Sequence, residues 1–164
     1  YGGDCAFVHC TIAQFYPFTA TRGNALFLAN NINDQYRELR QAQFINCVIT
    51  GYGEDVIMGS ISEGQDYTCP YLFSHCYLNT VASEDTVRFS HIIYDTDEQP
   101  LCREKNFVLF DTDNFLYDFT PDSLSTIRSL ADTTYSRLLP LDLRGKSRVE
   151  DDAPDAGCYE YVAP

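Results

Sequence analysis

Aspartates are the side chains of this sequence with the clearest potential for catalysis. Carboxylates gathered on one face of adjacent strands are the arrangement of a glycoside hydrolase, in which one acts as acid and another activates water. The candidates all stand where predicted strands meet turns: Asp85, Asp95, Asp97, Asp111 and Asp113. Aspartate is also a natural turn residue. We therefore predict turn-forming roles and no catalytic set, and keep Asp95, Asp97, Asp111 and Asp113 as the catalytic candidates.

The same aspartates raise the question of calcium. Residues 95–97 (Asp-Thr-Asp) and 111–114 (Asp-Thr-Asp-Asn) begin like calcium-binding loops, but neither continues with the glycine and distal glutamate of an EF-hand. Lys105 and Lys146 are the two lysines of the chain, too few for a lysine-based proton abstraction beside calcium. We predict no metal site and no cofactor, with calcium as the one ion that the sequence leaves open.

All three histidines fall at one position of an internal repeat. The repeat has the pattern Phe, any residue, His or Asn, Cys or Ile, any residue and a large apolar residue, and it occurs at residues 7–12, 44–49, 73–78 and 89–94. Asn and His tolerate the left-handed backbone conformation better than most residues. His9, Asn46, His75 and His91 are therefore predicted to form equivalent turns. The alternative, a metal site of stacked imidazoles, lacks a surrounding shell of carboxylates or thiolates.

The repeat predicts strands that stack in parallel. Each segment is rich in β-branched and aromatic residues and is bounded by turn residues. Further strands are predicted at Ala25–Leu28, Val56–Met58 and Phe107–Phe110, and residues 30–40 are predicted to form a bulging loop. The prediction is an all-β fold, a single-stranded right-handed parallel β-helix. Its coils occupy residues 1–118, and a closing segment, residues 119–164, covers the last coil.

Three cysteines recur beside the histidine position. Cys10, Cys47 and Cys76 are predicted to stack as buried, reduced apolar groups, because parallel stacked side chains have poor geometry for disulfides. Cys158 is also predicted to be buried. In the closing segment, the predicted apolar contacts come from leucines: Leu130, Leu138, Leu139, Leu141 and Leu143.

The charge balance excludes several partners. The net charge is −13, which disfavours nucleic acid and anionic membranes. The sequence has no apolar run of about eighteen residues, so we predict no membrane insertion by this region.

The aromatic residues suggest a binding surface. The chain has twelve tyrosines and eleven phenylalanines, and exposed aromatic faces are typical of sugar-binding clefts. Tyr16, Phe18 and Tyr36 stand in predicted loops beside amide residues, and they are the predicted binding residues. Tyr52 and Tyr67 are also in predicted loops. In the alternative interpretation, phenylalanines fill the coil interior and tyrosines cover its edges.

The C-terminal residues resemble a known family. Residues 125–132 (Ser-Thr-Ile-Arg-Ser-Leu-Ala-Asp) resemble the Ser-Pro-Ala-Ile-x-x-Gly-Asp segment of bacterial right-handed β-helix proteins with a pectate-lyase-like fold. Residues 142–148 resemble their Asp-x-x-Gly-x-x-Arg, and residues 155–161 resemble their Asp-Ile-Gly-Ala-Tyr-Glu-Tyr ending. Thr126 and Ala131 depart from the family's proline and glycine.

The resemblance implies an extracytoplasmic protein, at the cell surface, secreted or periplasmic, often in a carbohydrate context. We expect a structural or glycan-contacting region of a secreted or surface-anchored bacterial protein, non-catalytic by itself, with polysaccharide as partner. The alternative is the C-terminal part of a polysaccharide lyase or glycoside hydrolase with active coils upstream. In both cases, we expect the chain to continue from further upstream coils.

Overall fold

Strands dominate the protein, which was analysed as a computed structural model. The structure describes residues 3–16, 18, 23–52, 56–58, 61, 70–96 and 103–163. The strands are short, and they are, in chain order, β1 (Gly3–Val8), β2 (Thr11–Gln14), β3 (Leu26–Leu28), β4 (Asn31–Ile32), β5 (Gln35–Tyr36), β6 (Leu39–Ile45), β7 (Val48–Gly51), β8 (Val56–Met58), β9 (Tyr71–Ser74), β10 (Tyr77–Leu78), β11 (Phe89–Ser90), β12 (Ile93–Tyr94), β13 (Phe107–Asp111) and β14 (Leu116–Pro121).

Helix is scarce. A 3-10 helix spans Arg103–Asn106, and α1 spans Thr133–Leu138, so the described residues before 120 contain no α-helix, as predicted. Among the described residues, no helix has the length and apolar character needed to cross a membrane.

The four repeats pair in parallel and in register. The first strand of each repeat lies in one sheet, in the order β1-β6-β9-β11, and the second strand lies in another, in the order β2-β7-β10-β12. Phe7 aligns with Phe44, and Phe73 aligns with both Phe44 and Phe89. β3 and β8 form a third parallel pair. The predicted parallel, in-register pairing of these strands is confirmed.

The turn inside each repeat has the predicted left-handed backbone. The φ angles of His9, Asn46, His75 and His91 lie between 53° and 56°. The backbone connects successive turns: Asn46 N donates to Ser74 O at 3.0 Å, and His75 N donates to Ser90 O at 3.0 Å. The prediction that these four residues are equivalent is confirmed.

Phenylalanine rings stack beside these turns. Adjacent ring centroids lie 5.0, 4.7 and 5.0 Å apart along Phe7, Phe44, Phe73 and Phe89, with interplanar angles of 5–8°. The two central rings are completely buried, whereas Phe7 is 37% exposed at the end of the stack. The predicted stack is confirmed.

The cysteines at the turns are thiols that pack into the same core. Cys47 and Cys76 are fully buried, and Cys10 is half-buried. Within the described part of the chain they form no disulfide. Cys10 and Cys158 are half-buried rather than buried, which corrects the prediction for these two residues. Cys69 and Cys102 lie outside the described residues.

Two predicted elements differ in the structure. Residues 30–40 form a small hairpin instead of an open loop: β4 pairs antiparallel with β5 across Asn33 and Asp34, both with positive φ. The predicted strand at Phe107–Phe110 exists as β13, but it pairs antiparallel with β14 and not with the repeats. Its partner follows across a short turn, so a hairpin forms locally.

The segment after the hairpin packs along the sides of several repeats. Ile127 and Ala156 share a buried cluster with Val48 and Tyr77, and this cluster is separate from the one that contains Phe44 and Phe73. This segment contacts the first two repeats: Gly157 N donates to Asn46 O at 2.8 Å, and Cys158 N donates to Thr11 Oγ1 at 3.1 Å.

The predicted leucine contacts of this segment are mostly wrong. Leu130 packs against the buried cluster. Leu138, Leu139, Leu141 and Leu143 are instead 46–75% exposed. Polar side chains bond this segment to the repeats in their place, as described below.

Candidate functional site

An aromatic groove of about 340 Å³ lies on the surface of the described part of the chain. Two parts of the chain build it: the end of β2 with the residues that follow, and the tip of the β13–β14 hairpin. Its lining is largely aromatic and consists of Ala13, Gln14, Phe15, Tyr16, Phe18, Phe115, Tyr117 and Phe119. We call this feature the aromatic groove.

The floor of the groove follows from strand alternation. Tyr117 and Phe119 are two residues apart on β14, so both side chains point to the same face, and their rings stack with centroids 5.8 Å apart. Phe15 is buried against them and meets Phe110 edge-to-face at 4.6 Å. These contacts anchor the hairpin to the end of β2.

Three further rings stand above this floor and face solvent. Tyr16, Phe18 and Phe115 are 55%, 65% and 47% exposed. Phe18 contacts both of the others, with centroid distances of 5.3 Å to Tyr16 and 4.8 Å to Phe115. We call these three rings the aromatic platform. Because each ring touches the next, the platform presents a continuous apolar surface.

One amide supplies hydrogen-bonding capacity beside the rings. Gln14 Oε1 accepts a hydrogen bond from Tyr16 N at 3.2 Å, which fixes the side chain. Within the described part of the chain, Gln14 Nε2 donates to no acceptor. The groove therefore combines aromatic faces with a positioned amide donor.

The structure brings two of the three predicted binding residues together. Tyr16 and Phe18 both line the aromatic groove, while Tyr36 lies half-buried on β5 in the other hairpin and does not line it. Phe115 was missed by the sequence reasoning. It follows the Asp-Thr-Asp-Asn turn and has a φ of 57°, so a bulky residue directly after a turn signal was the available clue. Tyr67 lies outside the described residues.

The catalytic candidates do not assemble into an acid–base set. Asp95 is completely buried, and Tyr77 Oη donates to its Oδ2 at 2.5 Å. Asp111 Oδ1 accepts from the backbone N atoms of Asp113 and Asn114, each at 3.0 Å, so it closes the hairpin turn. Asp113 is exposed in that same turn.

The remaining aspartate candidates have separate outcomes. Asp85 Oδ1 accepts from Val87 N and Arg88 N at 3.0 Å, which is a turn-forming role as predicted. Asp97 lies outside the described residues.

Metal ligands are not clustered in the part of the chain that the structure describes. No group of three or more His, Cys, Asp or Glu residues there is arranged to hold an ion. The rings of His75 and His91 stack at 4.3 Å, but they form a pair without a third ligand group. The Asp111 carboxylate accepts hydrogen bonds within its own turn, and calcium at this turn stays a prediction.

A buried polar network involves the resemblance motifs. Asp142 accepts from Arg144 N, Lys146 N and Glu160 N at 2.8, 2.8 and 3.0 Å. The buried Arg148 donates to Glu160 Oε1 at 2.5 Å. Burial raises the pKa of Glu160 to about 7, against the effect of Arg148. These hydrogen bonds join residues within the closing segment. The motif residues Asp142, Arg148 and Glu160 therefore have a structural role in this network.

A second buried network joins the closing segment to the repeats. His9 Nε2 accepts from Asn46 Nδ2 at 3.0 Å and lies 2.9 Å from Ser136 Oγ. Burial lowers the pKa of His9 to about 4, and the positive charge of Arg148 adds to the effect. A neutral imidazole at this position therefore fits a structural junction.

Comparisons of the chain with protein-family models, with curated proteins and with solved structures found no match. Function is therefore inferred from the contacts of the residues and from the sequence resemblance.

Proposed function

We propose that the chain is a stretch of right-handed parallel β-helix and serves as a glycan-contacting scaffold. Three observations support the coil: the parallel pairing of four repeats, the left-handed turn in each, and the phenylalanine stack beside those turns. Right-handed crossovers are the rule for parallel strands of L-residues. In this proposal, β3 and β8 form the third face of two coils.

Glycan contact is the function that the aromatic platform supports best. Aromatic rings with solvent-exposed faces stack on the apolar faces of sugar rings, and amides bond sugar hydroxyls. Tyr16, Phe18 and Phe115 supply the rings, and Gln14 supplies the amide. The volume of the groove lies at the lower end of the range of about 300–1,000 Å³ for ligand pockets. A single site of this kind binds weakly, because few contacts offset the cost of association.

The scaffold is proposed to be non-catalytic. Asp95 is buried beneath Tyr77, and Asp111 is committed to its turn. We further propose that the protein is extracytoplasmic and bacterial, which is supported by the resemblance of residues 125–132, 142–148 and 155–161 to secreted β-helix proteins.

A polysaccharide panel tests this function. The purified chain is incubated with insoluble neutral and acidic polysaccharides, and the retained fraction is measured for the wild type, Tyr16→Ala and Tyr36→Ala. We expect at least one polysaccharide to retain the wild type. Tyr16→Ala should abolish this retention, and Tyr36→Ala should preserve it. Equal retention of all three proteins, or retention of none on any polysaccharide, refutes glycan contact through the platform.

Catalysis is measured on the same panel, with and without calcium. No release of reducing or unsaturated ends is expected. If the wild type releases such ends, and a folded Asp113→Asn variant does not, then the chain is an enzyme.

A further inference from the structure

The surroundings of the aromatic groove define which glycans it accepts. We infer that the groove selects uncharged sugar chains and rejects those bearing carboxylates, because the hairpin tip holds Asp111 and Asp113 beside the aromatic platform. This inference rests on the proposed glycan contact and deepens it.

The tip turn holds Asp111 as an anion. Its Oδ1 accepts from two backbone N atoms, and its Oδ2 accepts from Asn114 Nδ2 at 2.8 Å. These hydrogen bonds favour the charged form, and the bonds from Asn114 lower the pKa of Asp111 below its ordinary value. Asp113 is exposed in the same turn.

Both aspartates lie close to Phe115 along the backbone. Asp113 precedes Phe115 by two residues, a separation of at most about 7 Å along the chain. Asp111 pairs with Leu116 across the hairpin, one residue beyond Phe115. Salt screens charges over a Debye length of about 8 Å at physiological ionic strength, so the carboxylate of a sugar ring stacked on Phe115 would lie within the range of both anions.

The described residues that line the groove supply no positive charge to oppose this repulsion. Among the described residues that line it, none is Lys, Arg or His. An anionic sugar would therefore lose its hydration beside two carboxylates without gaining a partner, whereas a neutral sugar keeps the stacking contacts and the Gln14 amide.

A matched pair of oligosaccharides tests the inference. Hexameric oligogalacturonate and its fully methyl-esterified form share one backbone and differ in charge, and cellohexaose is a second neutral probe. Affinities are measured by titration at about 10 mM and 500 mM salt. We expect a neutral hexamer to bind about five- to tenfold more tightly than oligogalacturonate at low salt, and the ratio to shrink at high salt.

Variants connect the selectivity to the tip. Asp111→Asn/Asp113→Asn keeps hydrogen-bonding side chains in the turn and should reduce the ratio to about one to two, while Glu84→Gln removes one exposed charge from the loop before β11 and should preserve it. The inference is overturned if the double variant leaves the affinity ratio unchanged, or if oligogalacturonate binds more tightly than the neutral hexamers. Either result leaves the proposed glycan contact itself intact.

Two other outcomes overturn more. If neither neutral hexamer binds, or if Tyr16→Ala binds as the wild type does, then the proposed glycan contact falls together with its selectivity. If the platform instead joins two copies of the chain, sedimentation will show a dimer that Phe18→Ala dissociates, and the glycan occupant is ruled out.

Discussion

Asn46 and Asp132 exchange two hydrogen bonds although they are 86 positions apart. Asp132 N donates to Asn46 Oδ1 at 2.8 Å, and Asn46 Nδ2 donates to Asp132 O at 3.1 Å. Asp132 also caps α1 by accepting from Thr134 N and Tyr135 N. One buried amide at a repeat turn thus fixes the start of the helix that crosses the first two repeats.

The first prediction separates this contact from the turn conformation. Asn46→Ala loses both the left-handed preference and the bonds to Asp132, so we expect it to lower the free energy of unfolding by about 3 kcal/mol. His91→Ala changes an equivalent but exposed turn and should cost about 1 kcal/mol. Urea unfolding measures both values. Equal losses in the two variants would show that the Asp132 contact adds nothing.

The second prediction concerns the close approach of Gly157 to the first repeat. A Cβ at this position would lie 2.7 Å from Thr11 Oγ1 and 3.1 Å from Val48 Cγ2. Gly145 has a similar positive φ but nothing within 4 Å of a Cβ, so Gly145→Ala carries the backbone strain without the clash. We expect Gly157→Ala to be less stable than Gly145→Ala by about 1–3 kcal/mol. Equal melting temperatures for the two would disprove the docking of this segment on Thr11.

The third prediction addresses the phenylalanine stack. Phe73→Ala removes a fully buried ring between Phe44 and Phe89 and should lower the free energy of unfolding by about 3–5 kcal/mol. Phe7→Ala removes a partly exposed ring at the end of the same stack and should cost about 1–2 kcal/mol, since less apolar area returns to water. The reverse order in denaturant unfolding would contradict the placement of the stack.

The fourth prediction is a pH dependence. The pKa of His9 falls from an ordinary 6.5 to about 4 in the folded protein. Below pH 6.5 the unfolded chain therefore binds a proton that the folded chain does not, and the wild type loses stability as the pH falls towards 4. The shift corresponds to about 3 kcal/mol.

His9→Asn isolates that effect. Asn46 shows that asparagine fits this type of turn, and asparagine does not titrate. The free energy of unfolding of the wild type, minus that of His9→Asn, should decline as the pH falls from 6.5 to 4. Carboxylates such as Asp118 and Asp142 contribute to both proteins and therefore cancel in this difference. Urea unfolding at pH 7.5, 5.5 and 4.5 gives the comparison. If the difference in the free energy of unfolding between the two proteins does not change with pH, then His9 has the same pKa in the folded and the unfolded chain, which would contradict the prediction.

The repeats could be predicted from the sequence because one local rule governs each of them. Only a few residue types accept a left-handed turn, and the aligned Phe and Cys positions followed from side-chain alternation around it. Strand pairing between repeats then required no further information. The hairpin β13–β14 could not be anticipated in this way, because Phe107–Phe110 has the same apolar character whether its partner is parallel or antiparallel.

The closing segment shows the limit of composition. The leucine content of this segment predicted an apolar contact with the repeats, but Leu138 and Leu143 face solvent. Hydrogen bonds of Asn46, Asp132 and His9 instead join the segment to the repeats. Hydrogen bonds between residues so far apart leave no pattern in a single sequence. Only part of the aromatic groove could be predicted. Tyr16 and Phe18 are close together in the sequence, whereas Phe115 is distant in sequence and joins them only after the β13–β14 hairpin folds.

Chemical-shift mapping with a neutral oligosaccharide tests the central claim most directly. The 18.6 kDa chain is within reach of NMR, and methyl-esterified hexagalacturonate or cellohexaose is titrated to saturation or to its solubility limit. We predict that the largest shifts fall on Gln14, Tyr16, Phe18 and the hairpin tip at Phe115, with Tyr36 unaffected. Shifts centred on Tyr36 or spread along the repeats, or no shifts with either sugar, would contradict a glycan-contacting scaffold built around the aromatic groove.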